Sequence, residues 1–115
     1  MAKSAAIGER DLRSYRVTAI RQRFKLRDQI QGAAGSVMRN IAEGFDAGSN
    51  PEFIRFLKLA RRSASEVQSE LYLALDRKYI AQDQLNAAYD LATEAKRLIN
   101  GLIAYLQQHR SPPKP

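Results

Sequence analysis

The side chains most able to do chemistry in this sequence are the arginines and lysines close to its start. Residues 10–27 hold seven basic side chains and one acidic residue, Asp11. Guanidinium and ammonium groups pair with phosphate oxygens, so a stretch of this kind favours contact with the backbone of a nucleic acid. A basic face that is only solvated is the alternative interpretation of the same residues.

Residue types suited to catalysis or metal binding are few and scattered. The one histidine, His109, has no metal-binding partner four residues away, and cysteine is absent. The glycines form neither a P-loop nor a dinucleotide fingerprint. Glu66 and Glu70 share a helical face, but a carboxylate di-iron bundle would need Glu-x-x-His pairs, which the sequence lacks. We therefore expect no enzyme activity, no metal and no cofactor.

Composition indicates one domain that can bury a core of its own. The chain has 115 residues, 44% hydrophobic and 27% charged, with a formal net charge of +7. A domain of this length buries about two-thirds of the surface that its unfolded chain exposes. The first residues do not resemble a signal peptide, and no apolar stretch is long enough to cross a bilayer. Together with the lack of cysteine, this predicts a cytoplasmic protein without a membrane role.

Hydrophobic periodicity predicts helices in the second half of the chain, and no alternating β-branched run predicts a strand. The helix before the last should open at Asn50 as N-cap, with Pro51 at its first position. Its apolar stripe comprises Phe53, Phe56, Ala60, Ala64, Val67, Leu71 and Ala74. The last helix has apolar residues at alternating steps of three and four, the spacing of a coiled-coil seam, at Leu85, Ala88, Ala92, Ala95, Ile99, Leu102 and Leu106.

The first half of the chain carries two further apolar stripes. A segment at about 26–45 has Leu26, Ile30, Ala33, Val37 and Ile41 on one face, and a shorter one at about 9–22 has Leu12, Tyr15 and Ala19. No glycine or proline separates the two segments. Either the chain turns around residues 23–25, or the two helices partly merge.

These segments together predict an all-α fold, an antiparallel up-down four-helix bundle with a short first helix. The bundle domain is expected at residues 9–110. Residues 1–8 are expected to form a flexible N-terminus, and the proline-rich residues 111–115 a disordered tail.

Two blocks in the middle of the chain resemble a known family. Residues 40–44 read Asn-Ile-Ala-Glu-Gly, and residues 52–57 read Glu-Phe-Ile-Arg-Phe-Leu. The pair, at this spacing, resembles the four-helix bundle family of the 23S rRNA-intervening sequence protein over roughly residues 24–106. The resemblance implies an up-down four-helix bundle, a ring-like homopentamer and no known catalysis. The family includes a relative that accompanies a reverse transcriptase in diversity-generating retroelements and binds nucleic acid through a basic surface.

The chain departs from the family pattern in its first helix and in its charges. The family usually has a longer first helix and a linker before the glutamine, and here that region is shorter. Gln31 and Gly32 occupy positions that are usually basic, and Arg62 a position that is usually small. The basic surface is therefore expected nearer to 10–27 and 55–62. The candidate nucleic-acid-binding residues are Arg13, Arg16, Arg21, Arg23, Lys25, Arg55, Lys58 and Arg62.

The motif residues are expected to have a structural or interface role. Asn40 lies at the edge of an apolar helix face, with Ser36 and Glu43 farther round the same side. Ser63, Glu66 and Glu70 form a similar polar ridge on the next helix. Hydrogen bonds between such ridges, or to a neighbouring subunit, would fix the register of the helices. The group comprises Gln29, Ser36, Asn40, Ile41, Ala42, Glu43, Gly44, Glu52, Phe53, Phe56, Leu57, Ser63 and Glu66.

Two functions are open on this sequence. One is a non-enzymatic homo-oligomer that binds the backbone of RNA or DNA through its basic surface as an accessory protein, which the net charge and the relatives favour. The other is a protein-interaction or scaffold oligomer with no nucleic-acid role, whose basic face meets an acidic protein. In both, the first partner is a copy of the same chain, in a pentamer if the resemblance extends to assembly.

Overall fold

The computed structural model of the protein describes residues 8–109, and all regular structure within them is α-helical. Helix α1 spans Glu9–Asp46, α2 spans Asn50–Asp76 and α3 spans Gln82–Gln108. The prediction of an all-α fold is confirmed. The predicted disordered tail at 111–115 and, apart from Gly8, the predicted flexible N-terminus at 1–8 lie outside the described residues.

The structure differs from the prediction in the first half of the chain, where one helix stands in place of two. Helix α1 runs without a break for 38 residues, through the predicted turn at 23–25. Arg23, Phe24 and Lys25 all tolerate helical geometry, and no glycine or proline interrupts the backbone hydrogen bonds there. The described residues therefore form three helices, and the predicted short first helix is the N-terminal part of α1.

The turn from α1 to α2 is short, and two of its residues, Gly48 and Ser49, have the backbone geometry or side chain that a tight turn requires. Gly48 has φ of +84°, a left-handed conformation that glycine adopts without steric cost. Ser49 is the N-cap of α2, and its hydroxyl accepts a hydrogen bond of 3.3 Å from the backbone N–H of Glu52. The predicted N-cap, Asn50, is instead the first residue of the helix, and its side-chain amide donates to the carbonyl of His109 at 3.0 Å.

The turn from α2 to α3 reverses the chain a second time. Lys78 adopts a left-handed conformation with φ of +61°, and the N–H of Tyr79 donates to the carbonyl of Ala74 at 2.9 Å. This is the hydrogen-bond pattern that commonly ends an α-helix, with lysine at the position where glycine is usual. Helix α3 then starts with the side-chain oxygen of Gln84 accepting from the N–H of Ala81 at 2.8 Å.

The core lies where all three helices meet. Leu57 and Ala60 of α2 are almost fully buried and pack with Ile99 and Ile103 of α3 and with Leu106. Val37 and Ile41 of α1 are half-buried against the same cluster. Helix α2 is central, because it packs on both other helices, whereas no Cα atoms of α1 and α3 come within 8 Å of each other in the described part of the chain.

The N-terminal part of α1 extends past the end of α2. Arg23 reaches Tyr79, just beyond the last residue of α2, and the first buried residue of α1 is Leu26. Residues 9–22, which we call the arm, therefore project by about 21 Å beyond the part in which three helices pack together. Every arm residue is exposed except Ala19, which is partly buried.

Candidate nucleic-acid interface

The arm presents its basic side chains to solvent along one broad face. Arg13, Arg16 and Arg21 are exposed, and none of them forms an ion pair within residues 8–109. Successive helical residues are rotated by about 100°, so these three guanidinium groups lie within about 140° of arc around the helix. The arm therefore carries its positive charge along one broad face.

A second basic group forms where α1 passes the end of α2. The guanidinium of Arg23 donates to the carbonyl of Tyr79 at 3.4 Å and lies 5.7 Å from the centre of the Tyr79 ring. Lys25 lines an open cleft together with Arg77. Lys78 lies between Arg77 and Tyr79 in the turn. We call Arg23, Lys25, Arg77 and Lys78 the basic junction.

Sequence reasoning missed half of the basic junction. Arg77 and Lys78 lie more than 50 residues from Arg23 in the chain, and only the antiparallel pairing of α1 with α2 brings them together. Asp76, the last residue of α2, is the acidic residue next to them in sequence. One sequence signal could have located Arg77 and Lys78. The apolar stripe of α2 ends at Ala74, which predicts a turn directly after that residue.

The basic residues predicted on α2 lie elsewhere. Since Ser63 contacts Ser36 of α1, Arg62 lies about 20 Å along the bundle from Arg23. Arg55 is already engaged: it pairs with Glu52 at 3.1 Å and stacks 4.4 Å from the centre of the Phe56 ring. Lys58 and Arg62 are exposed, and neither forms an ion pair within the described residues.

The polar ridges of α1 and α2 meet at one hydrogen-bonded cluster. The hydroxyl of Ser63 donates to the hydroxyl of Ser36 at 2.8 Å. The side-chain amide of Asn40 donates to the same hydroxyl at 3.1 Å and to the backbone carbonyl of Ser36 at 2.8 Å. Of the other residues of the predicted ridges, Glu43 and Glu66 are exposed and Glu70 is partly buried.

The glycine of the Asn-Ile-Ala-Glu-Gly block lets α1 approach the start of α2 closely. A Cβ atom on Gly44 would lie 2.7 Å from the ring of Phe53 and 3.2 Å from the Cβ of Phe56. Gly44 is buried, and the Phe53 ring also contacts Phe45, with 5.0 Å between the ring centres. The two blocks singled out in the sequence therefore contact each other at this corner of the molecule.

Comparison with known proteins gives a family match. The family model of the 23S rRNA-intervening sequence protein matches residues 3–101. The chain belongs to this family. No curated protein and no solved structure matches it.

In this member of the 23S rRNA-intervening sequence protein family, a buried polar group also joins α2 to α3. Gln68 is 6% exposed, and its amide donates to the hydroxyl of Thr93 at 2.8 Å. Lys96 donates to the Gln68 side-chain oxygen at 2.8 Å, so this lysine is held against the bundle. Gln68 was not predicted as a site residue, and its contacts indicate a structural role.

One acidic residue of this family member, Glu70, lies in surroundings that change its pKa. Burial, and then the nearby Glu66 carboxylate, raise the pKa of Glu70 above its ordinary value. One Glu70 oxygen is shielded from solvent and has no hydrogen-bond partner within residues 8–109. In the same part of the chain, no three acidic, histidine or cysteine side chains come together as a metal site would require.

None of the described helices is both long and apolar enough to cross a membrane.

Proposed function

We propose that this protein binds the phosphate backbone of RNA or DNA without catalysing a reaction, and that the basic junction and the arm form the binding surface. The observation that carries the proposal is that Arg23 and Lys25 of α1 and Arg77 and Lys78 after α2 converge at one end of the three-helix region. The arm continues from that point with Arg13, Arg16 and Arg21, which are exposed and form no ion pair within residues 8–109.

The chemistry of these side chains supports backbone contact rather than base reading. Arginine and lysine neutralise phosphates with little dependence on sequence, and their contacts are lost as salt increases. The arm has exposed charge along one broad face, which a nucleic-acid strand can follow. Binding of this kind fits a non-enzymatic accessory protein that holds a nucleic acid for an enzyme.

Assembly would strengthen the binding. One protomer offers few phosphate contacts, whereas a homo-oligomer repeats the basic junction and lets one strand reach several copies. Homo-oligomerisation is therefore part of the proposal. The number of copies implied by the family resemblance, five in a ring, stays a prediction that a mass measurement tests.

An acidic protein is the second candidate partner. Lys58 and Arg62 form a separate exposed pair on the outer face of α2, about 20 Å along the bundle from Arg23. A pair of this size suits a carboxylate-rich segment better than a nucleic-acid strand. This scaffold function would leave the basic junction unused.

Fluorescence anisotropy with labelled RNA and labelled DNA tests the proposal. We expect binding to both at about 50 mM salt, with an affinity that falls steeply as the salt concentration rises. No binding to either molecule under these conditions would reject the nucleic-acid function and favour the protein scaffold.

A further inference from the structure

A cleft opens between α1 and the end of α2, beside the basic junction. Its volume is about 280 Å³, close to the lower limit of the roughly 300–1,000 Å³ of pockets that bind small molecules. The cleft is lined by Gln22, Lys25, Leu26 and Gln29 of α1 and by Leu73 and Arg77 at the end of α2. We call this space the junction cleft. A phosphate group alone is much smaller than the cleft, whereas a nucleobase with its phosphate is of similar size.

The α1 side of the junction cleft is one face of the helix. Its four residues stand at positions i, i+3, i+4 and i+7, so their side chains are neighbours on the helix surface. Lys25 also follows Arg21 by four residues, so the basic face of the arm continues to the cleft. A strand that is bound along the exposed arm therefore arrives at the junction cleft.

The polar side chains of the junction cleft have no partner among the described residues. Neither Lys25 nor Arg77 forms an ion pair within residues 8–109, and no acidic residue of that range lines the cleft. The side-chain amides of Gln22 and Gln29 form no hydrogen bond there either, whereas the amide of Gln68 is bonded to α3. Two cations and two amides thus border the same space, and a ligand can use both donors and acceptors.

The junction cleft also has an apolar surface. Leu26 is 3% exposed, and Leu73 beside it is 39% exposed. The flat face of a nucleobase packs against side chains of this kind once the base has left its stack. A simple anion gains nothing from an apolar surface. The combination of leucines, amides and cations therefore suits a whole nucleotide better than an isolated phosphate.

The end of α2 does not repel a phosphate group in this place. The last carbonyl groups of a helix carry a partial negative charge, which disfavours anions. Here the carbonyls of Leu73, Ala74 and Leu75 accept hydrogen bonds of 2.9–3.0 Å from backbone N–H groups of the following turn. Arg77 and Lys78 add two positive charges at the same point. The local charge at the cleft is therefore positive.

We propose that the junction cleft takes one unpaired nucleotide of a bound strand. The base lies on Leu26 and Leu73, the amides of the two glutamines bond to its edge, and the two basic side chains contact the adjoining phosphates. An amide has both a donor and an acceptor, so glutamine can bond to the edge of any base and adds little sequence preference.

This role of the cleft rests on the proposed function and adds a preference for single strands. The bases of a duplex are paired and stacked, and so cannot enter a cleft in the protein. Charge alone gives the opposite order, because a duplex carries one negative charge per about 1.7 Å and a single strand about half that density. A preference for single strands therefore reports the cleft and not the net charge.

Fluorescence anisotropy with a labelled single strand and with the duplex of the same sequence, in the same low-salt buffer, tests the preference. We expect the single strand to bind at least roughly fivefold more tightly, the smallest ratio that a good pair of hydrogen bonds to a base provides. Duplex binding that is equal or tighter overturns the role of the cleft and leaves the proposed binding function standing. Binding to neither molecule rejects the proposed function and the cleft with it.

Two matched double variants locate the preference. Gln22→Leu/Gln29→Leu removes both amides of the cleft without a change in charge, and Gln31→Leu/Gln107→Leu makes the same changes at exposed positions outside it. With unchanged circular dichroism, the cleft variant should lose the preference for the single strand and keep its affinity for the duplex. The control variant should behave as wild type. A cleft variant that keeps the preference, or that loses affinity for both molecules equally, contradicts the proposal.

A fluorescent base gives a second, direct readout. 2-Aminopurine is quenched while it is stacked in a strand and becomes brighter when it is unstacked. A single strand that contains 2-aminopurine should brighten when it binds the wild-type protein and much less when it binds Gln22→Leu/Gln29→Leu at saturation. Equal brightening with both proteins would show that the base does not enter the junction cleft.

Discussion

The hydroxyl of Ser63 donates a hydrogen bond of 2.8 Å to the hydroxyl of Ser36 and so joins α2 to α1 at a buried position. Asn40 donates to the same Ser36 oxygen from the other side. The register of the two helices is thus tied to one polar contact within an otherwise apolar seam. A shift by one residue would leave these groups buried without partners, which costs about 1–3 kcal/mol for each group.

We expect Ser63→Ala to lower the free energy of unfolding by about 1–2 kcal/mol, because it removes the hydrogen bond of a buried serine. The double variant Ser36→Ala/Ser63→Ala should be less destabilised than the two single changes added together. Urea unfolding followed by circular dichroism measures all three. Ser69→Ala, at an exposed position of α2, is the control and should change stability by less than about 0.5 kcal/mol. Strict additivity of the two serine changes would show that the contact does not couple the helices.

Replacing two glycines of α1 by alanine should change the stability of the folded protein in opposite directions. Gly44→Ala would place a methyl group 2.7 Å from the Phe53 ring, and we expect a loss of about 1–3 kcal/mol from overpacking. A Cβ atom on Gly32 would have no neighbour within 4 Å. Gly32→Ala should therefore raise the free energy of unfolding by about 0.5–1 kcal/mol, because alanine favours a helix interior. Thermal unfolding of both variants provides the comparison. Equal effects of the two changes would mean that α1 does not approach Phe53 as closely as described.

The raised pKa of Glu70 predicts a stability that depends on pH. Folding disfavours the charged form of this carboxyl, first through burial and then through Glu66, so the folded protein holds the proton to higher pH than the unfolded chain does. This group therefore lowers stability as the pH rises through and above the ordinary value of 4.5, and the effect is absent at lower pH.

Glu70→Gln should accordingly raise the melting temperature at pH 7 relative to wild type, and the difference should vanish below about pH 4. Glu66→Gln removes only the repulsion from the neighbouring carboxylate, so its gain should be smaller. Differential scanning calorimetry across pH measures both. A variant that gains equal stability at all pH values would show that ionisation of Glu70 is not the cause.

Apolar periodicity predicted the helical fold and most of the core. Ala60, Leu71, Ile99 and Leu106 came from helical spacing and are buried in the structure. The continuity of α1 could not be predicted, because residues 23–25 are compatible with both a helix and a turn. The basic junction could not be predicted either, since Arg77 and Lys78 join Arg23 only through the antiparallel pairing of helices. Local spacing determines which face of a helix is apolar, whereas contacts between distant segments depend on how the helices pack.

Charge reversal at the basic junction gives the sharpest test of nucleic-acid binding. The double variant Arg77→Glu/Lys78→Glu reverses two charges of the junction, and Lys58→Glu/Arg62→Glu makes the same change in net charge on the outer face of α2. Log affinity for nucleic acid falls with log salt by about 0.7–0.9 for each neutralised phosphate. We therefore expect the junction variant to bind more weakly and to reduce the slope by roughly one to two units, while the α2 variant keeps nearly the wild-type slope. Anisotropy titrations across a salt series measure both slopes with the same labelled strand. If the two variants lose affinity equally, the protein responds to net charge alone and the junction is not a binding site. If only the α2 variant loses affinity, the phosphate contacts lie on the outer face of α2 instead.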